Sequence, residues 1–399
     1  MNFDLSPDQQ NCVDAIVSWW KDGVEQLITM GGFAGTGKTT VIATLRNLFP
    51  NTRIAFCAYT GKAASVLKNK LNACGVLRDG NFCGTIHSMI YNPILDKDKK
   101  VIGWELKSSP PPYDLIVIDE ASMISEQVFF DLESFKIPIL ATGDHGQLPP
   151  IGGDLNLMEN PVLKLEKLHR QAEDNPIVKL SFLARTDGYI PYGVYGKTVV
   201  KAHAKDRLIT EFINNSNHFQ NTVILCGFNK TRVDINKRIR KHFGHVNDYP
   251  ECGERVLCLK NNRAAKDCPI YNGVQGIAEY CKDMASYLDM IIKIDGECES
   301  YCGPVSKEAF NNDSPELTHK FVKRQVLVKE RGDEYFKFMN QPIDYFDYGY
   351  CLSVHKSQGS EWKRVMVIEQ PCKHWAGSDW NRWLYTAVTR ASEQLLIVR

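Results

Sequence analysis

The sequence predicts an α/β fold built from two parallel-sheet units. Three observations carry that expectation. Short apolar runs alternate with helical patterns through the first 150 residues. The same rhythm returns at Thr222–Cys226 and Val365–Glu369, and the chain closes on a strand-like run, Leu395–Val398. The 399 residues also exceed what one compact core usually holds.

Taken in order, Gln26–Met30 reads as a strand and enters the string Gly32-Phe33-Ala34-Gly35-Thr36-Gly37-Lys38-Thr39. This is the phosphate-binding pattern G-x-x-x-x-G-K-[ST]. Glycines let successive backbone N–H groups turn onto phosphate oxygens. The lysine reaches the outer phosphates, and the threonine hydroxyl suits Mg²⁺. A helix should follow, with Val41, Ile42, Leu45, Leu48 and Phe49 on one face. Its N-terminus adds a dipole that favours anions. Ile54–Ala58, Leu115–Ile118 and Ile137–Thr142 are the next strands, and the two units should join near residues 152–165.

Two stretches break the rhythm. Residues 88–112 carry a charged run, Asp96–Lys100, then Val101–Leu106, then Ser108-Ser109-Pro110-Pro111-Pro112. That order predicts a hairpin with a charged tip and a stiff exit. Residues 256–345 hold short alternating runs with turns at Asn272-Gly273 and Asp295-Gly296, the pattern of a small β-rich insertion.

Composition sets limits. At 43% hydrophobic and 24% charged, the chain has an ordinary globular composition. No run of 18 apolar residues exists, and the N-terminus lacks a signal-peptide pattern, so a cytoplasmic protein without membrane association is expected. Thirteen scattered cysteines read as reduced thiols. Six of them lie between Cys252 and Cys302, yet no paired C-x-x-C knuckles occur, so buried free thiols are expected over a zinc site. The net charge of +1 confines any nucleic-acid binding to local grooves.

Further chemistry follows the strands. Asp119-Glu120-Ala121-Ser122 stands at the end of Leu115–Ile118, where ligands of parallel sheets bind. Asp119 can hold Mg²⁺, and Glu120 can orient and deprotonate an attacking water. Gly143-Asp144-His145-Gly146-Gln147-Leu148-Pro149-Pro150 follows the next strand, and Gln147 could sense an outer phosphate. Near the C-terminus, Trp380, Trp383, Leu384, Ala387, Val388 and Ala391 recur at helical spacing, which leaves Thr386 and Arg390 on the opposite side. The stretch Lys230–Lys241 is a basic helix that either meets nucleic acid or forms a solvated face.

In this order the strings resemble those of the superfamily 1 helicases of the RecD/Dda-like branch, across nearly the whole chain. Leu5–Gln9 is similar to the adenine-recognising Q motif, Gly32–Thr39 to motif I, and Ala58–Ala64 to motif Ia, with Tyr59 where the family more often has proline. Gly84–Ser88 resembles a DNA-contacting motif, Asp119–Ser122 motif II, and Gly143–Pro150 motif III. Leu165–Gln171 resembles motif IV, Val354–Glu361 motif V, and Leu384–Ala391 motif VI.

The resemblance implies two RecA-like cores with ATP and Mg²⁺ between them. Residues 1–155 would form core 1A, with 88–112 as its pin insertion (1B). Residues 156–255 with 346–399 would form core 2A, and 256–345 an SH3-like domain 2B. Nucleotide contacts fall on Gln9, Gly32, Gly35, Gly37, Lys38, Thr39, Thr40, Gly359 and Glu361, and metal on Thr39 and Asp119. Catalytic roles fall on Lys38, Glu120, Gln147, Arg170 and Arg390, the two arginines supplied by the second core.

DNA contacts fall on Thr60, Lys62, Thr85, His87, His355 and Ser357, with Trp104 either splitting the duplex or closing its own hairpin. The activity implied is ATP-driven 5′-to-3′ translocation on single-stranded DNA with duplex unwinding, in replication, recombination or repair. A translocase that displaces proteins without processive unwinding is the alternative, and a nucleotide-binding scaffold a third reading. Expected partners are single-stranded DNA, single-strand/duplex junctions, and a single-strand binding protein or other replication proteins, with the chain acting as a monomer.

Overall fold

The computed structural model describes residues 4–399 apart from 96–100, 150–154, 168–174, 204, 217–218, 261, 263–269, 271, 296–299, 319, 331–332, 373–374 and 376. The N-terminal half runs α1 (Pro7–Asp22), β1 (Leu27–Gly32), α2 (Lys38–Leu48), β2 (Ile54–Ala58), α3 (Gly61–Ala73), β3 (Phe82–Thr85), α4 (Ile86–Ile90), β4 (Tyr91–Leu95), β5 (Val101–Leu106), β6 (Leu115–Asp119), α5 (Glu126–Glu133), β7 (Ile139–Gly143) and β8 (Leu163–Leu165). Six of these strands form one sheet in the order β3-β2-β6-β7-β1-β8, with every neighbouring pair parallel. The sheet takes in Leu163–Leu165, beyond residue 155. The register aligns Gly31 with Gly143 and Ala58 with Asp119, so the carboxyl ends of β1, β2, β6 and β7 form one edge.

Strand residues are apolar on both faces because helices cover both. Met30, Phe56 and Leu140 pack toward α1, α2 and α3, while Ile116, Ile118 and Ile139 pack toward α4 and α5. In α2, Val41, Ile42 and Leu45 are buried as the periodicity predicts, but Leu48 is 51% exposed. The helix ends there, and Phe49 leaves it to take the buried place instead. Strands β4 and β5 pair antiparallel as the expected hairpin, but α4 occupies 86–90, so the hairpin begins at Tyr91. Its charged tip lies outside the described residues.

The C-terminal half runs α6 (Pro176–Asp187), β9 (Gly193–Tyr195), β10 (Val199–Ala202), α7 (Lys205–Asn214), β11 (Thr222–Cys226), α8 (Asn229–His242), β12 (Arg255–Cys258), β13 (Gln275–Asp283), β14 (Leu288–Ile294), β15 (Ser300–Val305), β16 (Phe321–Glu330), β17 (Asp333–Pro342), β18 (Phe346–Tyr348), β19 (Cys351–Ser353), β20 (Trp362–Ile368), α9 (Gly377–Val388) and β21 (Ala391–Val398). A second six-stranded sheet has the order β19-β11-β20-β21-β10-β9, parallel except for the edge strand β9. Between β11 and β19 the chain builds a five-stranded antiparallel sheet, β15-β14-β13-β12-β18, and the β16–β17 hairpin. One apolar cluster runs from Ile224 and Met366 of the second sheet into Val256, Ile292 and Phe346 of the antiparallel sheet.

The basic helix α8 is only partly a solvated face. Lys230, Lys237 and Lys241 are exposed, but Arg232 and Arg240 are buried. Arg232 pairs with Asp347, and Arg240 grips Glu254 with two hydrogen bonds of 2.8 and 3.0 Å. Among the described residues no helix is long and apolar enough to cross a membrane, and no group of three His, Cys, Asp or Glu could hold a metal ion.

Candidate nucleotide cleft

The phosphate loop is shaped by close approach. A Cβ on Gly32 would meet Thr36 Oγ1 at 2.7 Å, so only glycine lets the strand end fold over the loop. Gly37 caps α2 with φ of 81°, a left-handed conformation that lets the chain reverse into the helix. Lys38 opens that helix and donates through Nζ to the carbonyls of Gly32 at 2.6 Å and Phe33 at 3.2 Å. Thr39 and Thr40 lie in the same first turn, half-buried.

Gln9 reaches the loop differently from the expectation. It is buried: its Oε1 accepts the Ser6 N–H at 3.1 Å, and its Nε2 donates to Thr36 O at 3.1 Å. The side chain therefore caps α1 and pins the phosphate loop.

Across the sheet edge, Asp119 ends β6 and accepts from Thr142 Oγ1 at 3.2 Å. Glu120 turns the chain with φ of 54°, which costs a non-glycine residue about 1 kcal/mol or more and places its carboxylate beside the loop. The residue is half-buried, but its Oε2 is enclosed and has no hydrogen-bond partner among the described residues. Burial raises its pKa above the usual carboxylate range, the Asp119 charge adds to this, and Arg390 and Lys38 oppose it. Gln147 is buried, with Oε1 without a partner among the described residues and Nε2 3.5 Å from Asp144 Oδ2.

Arg390 comes to this edge from the second sheet, with a correction to its expected setting. Helix α9 ends at Val388, so Arg390 lies in the turn before β21 and not on the helix. It is 5% exposed and donates to Thr386 O at 3.1 Å, Ser360 O at 3.0 Å and Thr389 Oγ1 at 3.2 Å. Thr386, expected on the outer side, is fully buried because its Oγ1 accepts the Leu148 N–H at 3.0 Å. Arg170 lies outside the described residues.

The residues expected to touch DNA fall into two groups. Thr60 caps α3 by accepting from Ala63 N at 3.2 Å, and Lys62 lies on the first turn of that helix. A Cβ on Gly359 would lie 3.5 Å from Ala63 Cβ and 3.6 Å from Thr60 Oγ1, so motif V abuts motif Ia here. Glu361 is exposed. His87 sits between Tyr59 and Tyr91, with ring centroids 5.7 and 5.4 Å away. Trp104 is 38% exposed on β5. His355 is half-buried, and burial lowers its pKa.

Thr85 and Ser357 depart from the expectation. Thr85 is buried as the cap of α4, accepting from Ser88 N at 3.2 Å. Ser357 is fully buried and donates to Val354 O at 2.7 Å. Both hydroxyls hold turns together and do not face outward.

Several residues of the cleft were not anticipated. Tyr385 is fully buried between the two units. Phe33 and Leu148 pack into the apolar cluster of the second sheet. Arg185 of α6 lies over the Phe33 ring at 3.4 Å, and burial lowers its pKa. Buried tyrosines need a hydroxyl partner, so Tyr385, next to Leu384 of the apolar helical stripe, was the available signal.

A family model described as "AAA domain" matches residues 4–198, and one described as "UvrD-like helicase C-terminal domain" matches residues 348–398. The chain is 24% identical over 406 residues to the ATP-dependent RecD2 DNA helicase of Deinococcus radiodurans, covering 98% of this chain and 48% of that protein. It therefore spans about half the length of that relative. It is also 24% identical over 418 residues to the ATP-dependent DNA helicase Pif1 of Campylobacter jejuni, covering 92% of this chain and 86% of the relative.

The fold matches the Bacteroides Pif1 helicase crystallised with ADP-AlF3 and single-stranded DNA, with TM-score 0.54, 16% identity, and coverage of 99% of this chain and 92% of that one. The chain thus matches an AAA-domain model at its N-terminal end and a UvrD-like helicase C-terminal model at its other end, and along nearly its whole length it is similar to RecD2 and Pif1 helicases, consistent with the RecD/Pif1-like superfamily 1B.

Proposed function

We propose that this protein hydrolyses ATP between its two parallel sheets and uses closure of that cleft to move 5′ to 3′ along single-stranded DNA and open duplex. One observation carries the reading. Hydrogen bonds join the two units at this edge, Ala34 N–H to the Tyr385 hydroxyl at 2.9 Å and Leu148 N–H to Thr386 Oγ1 at 3.0 Å, which brings Lys38 from the first sheet and Arg390 from the second close enough to act on the Glu120 carboxylate. A site completed by a cation from each side is competent for phosphoryl transfer only while the two sides are together.

In this reading Gly32, Gly35, Gly37 and Lys38 cradle the phosphates, and Glu120 takes the proton of the attacking water. Gln147 reports the outer phosphate. Arg390, with Arg170, neutralises charge on the transferred group. The donor set fits a hard cation at Thr39 and Asp119, and Mg²⁺ there supplies charge neutralisation of the phosphates. Thr60, Lys62, His87, His355 and Trp104 line the DNA path. The sheet-bearing halves act as the two motor cores, and the insertion at 256–345 flanks them. The Bacteroides Pif1 crystallised with single-stranded DNA supports that substrate class.

The test is unwinding of 5′-tailed against 3′-tailed duplexes with ATP. The 5′-tailed substrate should open, and Lys38→Ala should abolish opening. Preference for the 3′ tail would contradict the polarity. DNA-stimulated hydrolysis with neither substrate opened would select the protein-displacing translocase.

A further inference from the structure

Tyr385 makes a junction that the proposed chemistry does not use. It belongs to α9, against the second sheet, and is fully buried. Its hydroxyl accepts the Ala34 N–H of the phosphate loop at 2.9 Å and donates to Asp144 Oδ2 at 2.6 Å. Burial beside Asp144 raises its pKa well above the ordinary tyrosine value, so it remains a donor.

Asp144 in turn accepts the Gly146 N–H at 2.9 Å through Oδ1 and stands 3.5 Å from Gln147 Nε2. The next residue, Leu148, is held at both backbone atoms from the second unit. Its N–H donates to Thr386 Oγ1 at 3.0 Å, and its carbonyl accepts from Gln358 Nε2 at 2.8 Å. A Cβ on Gly146 would meet the Tyr385 ring at 3.0 Å and the Phe33 ring at 3.1 Å, so the loop is closed against both.

We infer that Tyr385 is a positioning residue. Through Ala34 and Asp144 it makes the phosphate loop and Gln147 answer to the position of the second sheet. The inference rests on the ATP-hydrolysis reading for its functional consequence, but the contact itself is measurable without it. When the sheets separate, Tyr385 leaves Ala34 and Asp144 together, and the Asp144–Leu148 loop loses the contacts that set Gln147. Closure and readiness for hydrolysis then become one event.

The test uses the full chain carrying Tyr385→Phe, which keeps the ring against Phe33 and Gly146 and removes only the hydroxyl. Hydrogen exchange at residues 33–37 and 144–148 is read alongside ATP hydrolysis with oligothymidylate. The inference expects exchange at Ala34 and in 144–148 to rise tenfold or more. It expects kcat to fall at least tenfold while KM for ATP moves less than threefold. Unchanged exchange overturns the contact, and faster exchange with unchanged kcat overturns the positioning role. A thermal midpoint lowered by a general loss of folding would raise exchange everywhere, and that pattern also counts against it. If the unsubstituted chain shows no hydrolysis that Lys38→Ala removes, the ATP reading fails, and local exchange alone then decides whether Tyr385 holds the two loops.

Discussion

Glu120 is the residue on which the proposed chemistry turns. A left-handed φ of 54° on a non-glycine residue persists only where surrounding structure insists on it, and here it delivers a carboxylate with one oxygen unpartnered among the described residues. Glu120→Gln keeps the shape and removes the base. Steady-state assays should show kcat down about 10²- to 10⁴-fold, with nucleotide affinity within a few-fold of the parent. Retention of full turnover would remove Glu120 from the reaction.

Asp344 offers a second residue-scale prediction, on stability. Burial pushes its pKa from 3.8 up to about 6, although Tyr301 and Asn262 hydrogen-bond to it and Lys260 lies nearby. Between those values the folded chain keeps a proton that the unfolded chain has released. The stability is therefore fully present below about pH 4 and lost as pH rises through about 6, by up to roughly 3 kcal/mol. Asp344→Asn should flatten that slope in denaturant titrations across the window, and an equal slope in both proteins would contradict it.

At the scale of elements, α8 shows why charge runs mislead. Arg232 and Asp347 are both enclosed, and Arg232 also donates to Asn312 O at 2.8 Å. Removing one partner leaves the other charge buried, so Asp347→Ala should cost about 3–5 kcal/mol in chemical denaturation. A loss below about 1 kcal/mol would place the pair with surface bridges.

The β4–β5 hairpin carries a different prediction. Trp104 is 38% exposed on it, within reach of a passing base. Trp104→Ala should keep DNA-stimulated hydrolysis while unwinding falls several-fold, since a base–aromatic stack is worth about 1–3 kcal/mol. Unchanged unwinding by a folded variant would assign the ring to its own hairpin.

Over the whole molecule, the parts legible in the sequence were those encoded locally. The glycine loop, Asp119-Glu120 at a strand end, and runs such as Ile54–Ala58 and Thr222–Cys226 stand where the spacing put them. Periodicity alone failed where an element stopped. Arg390 lies past the end of α9, and Leu48 turns outward because α2 ends there. Side-chain direction in tight turns was also hidden, so Thr85 and Ser357 looked like outward contacts while serving as internal caps. The Tyr385–Asp144 bond joins residues 241 positions apart, and no local pattern reports such a pairing.

In the proposed mechanism two separate sheets complete one catalytic site. Hydrolysis by Arg390→Ala in the presence of single-stranded DNA tests it most directly, read beside nucleotide binding. ATP binding should stay within a few-fold of the parent while kcat falls about 10³-fold. Parental turnover by a folded Arg390→Ala protein would contradict it.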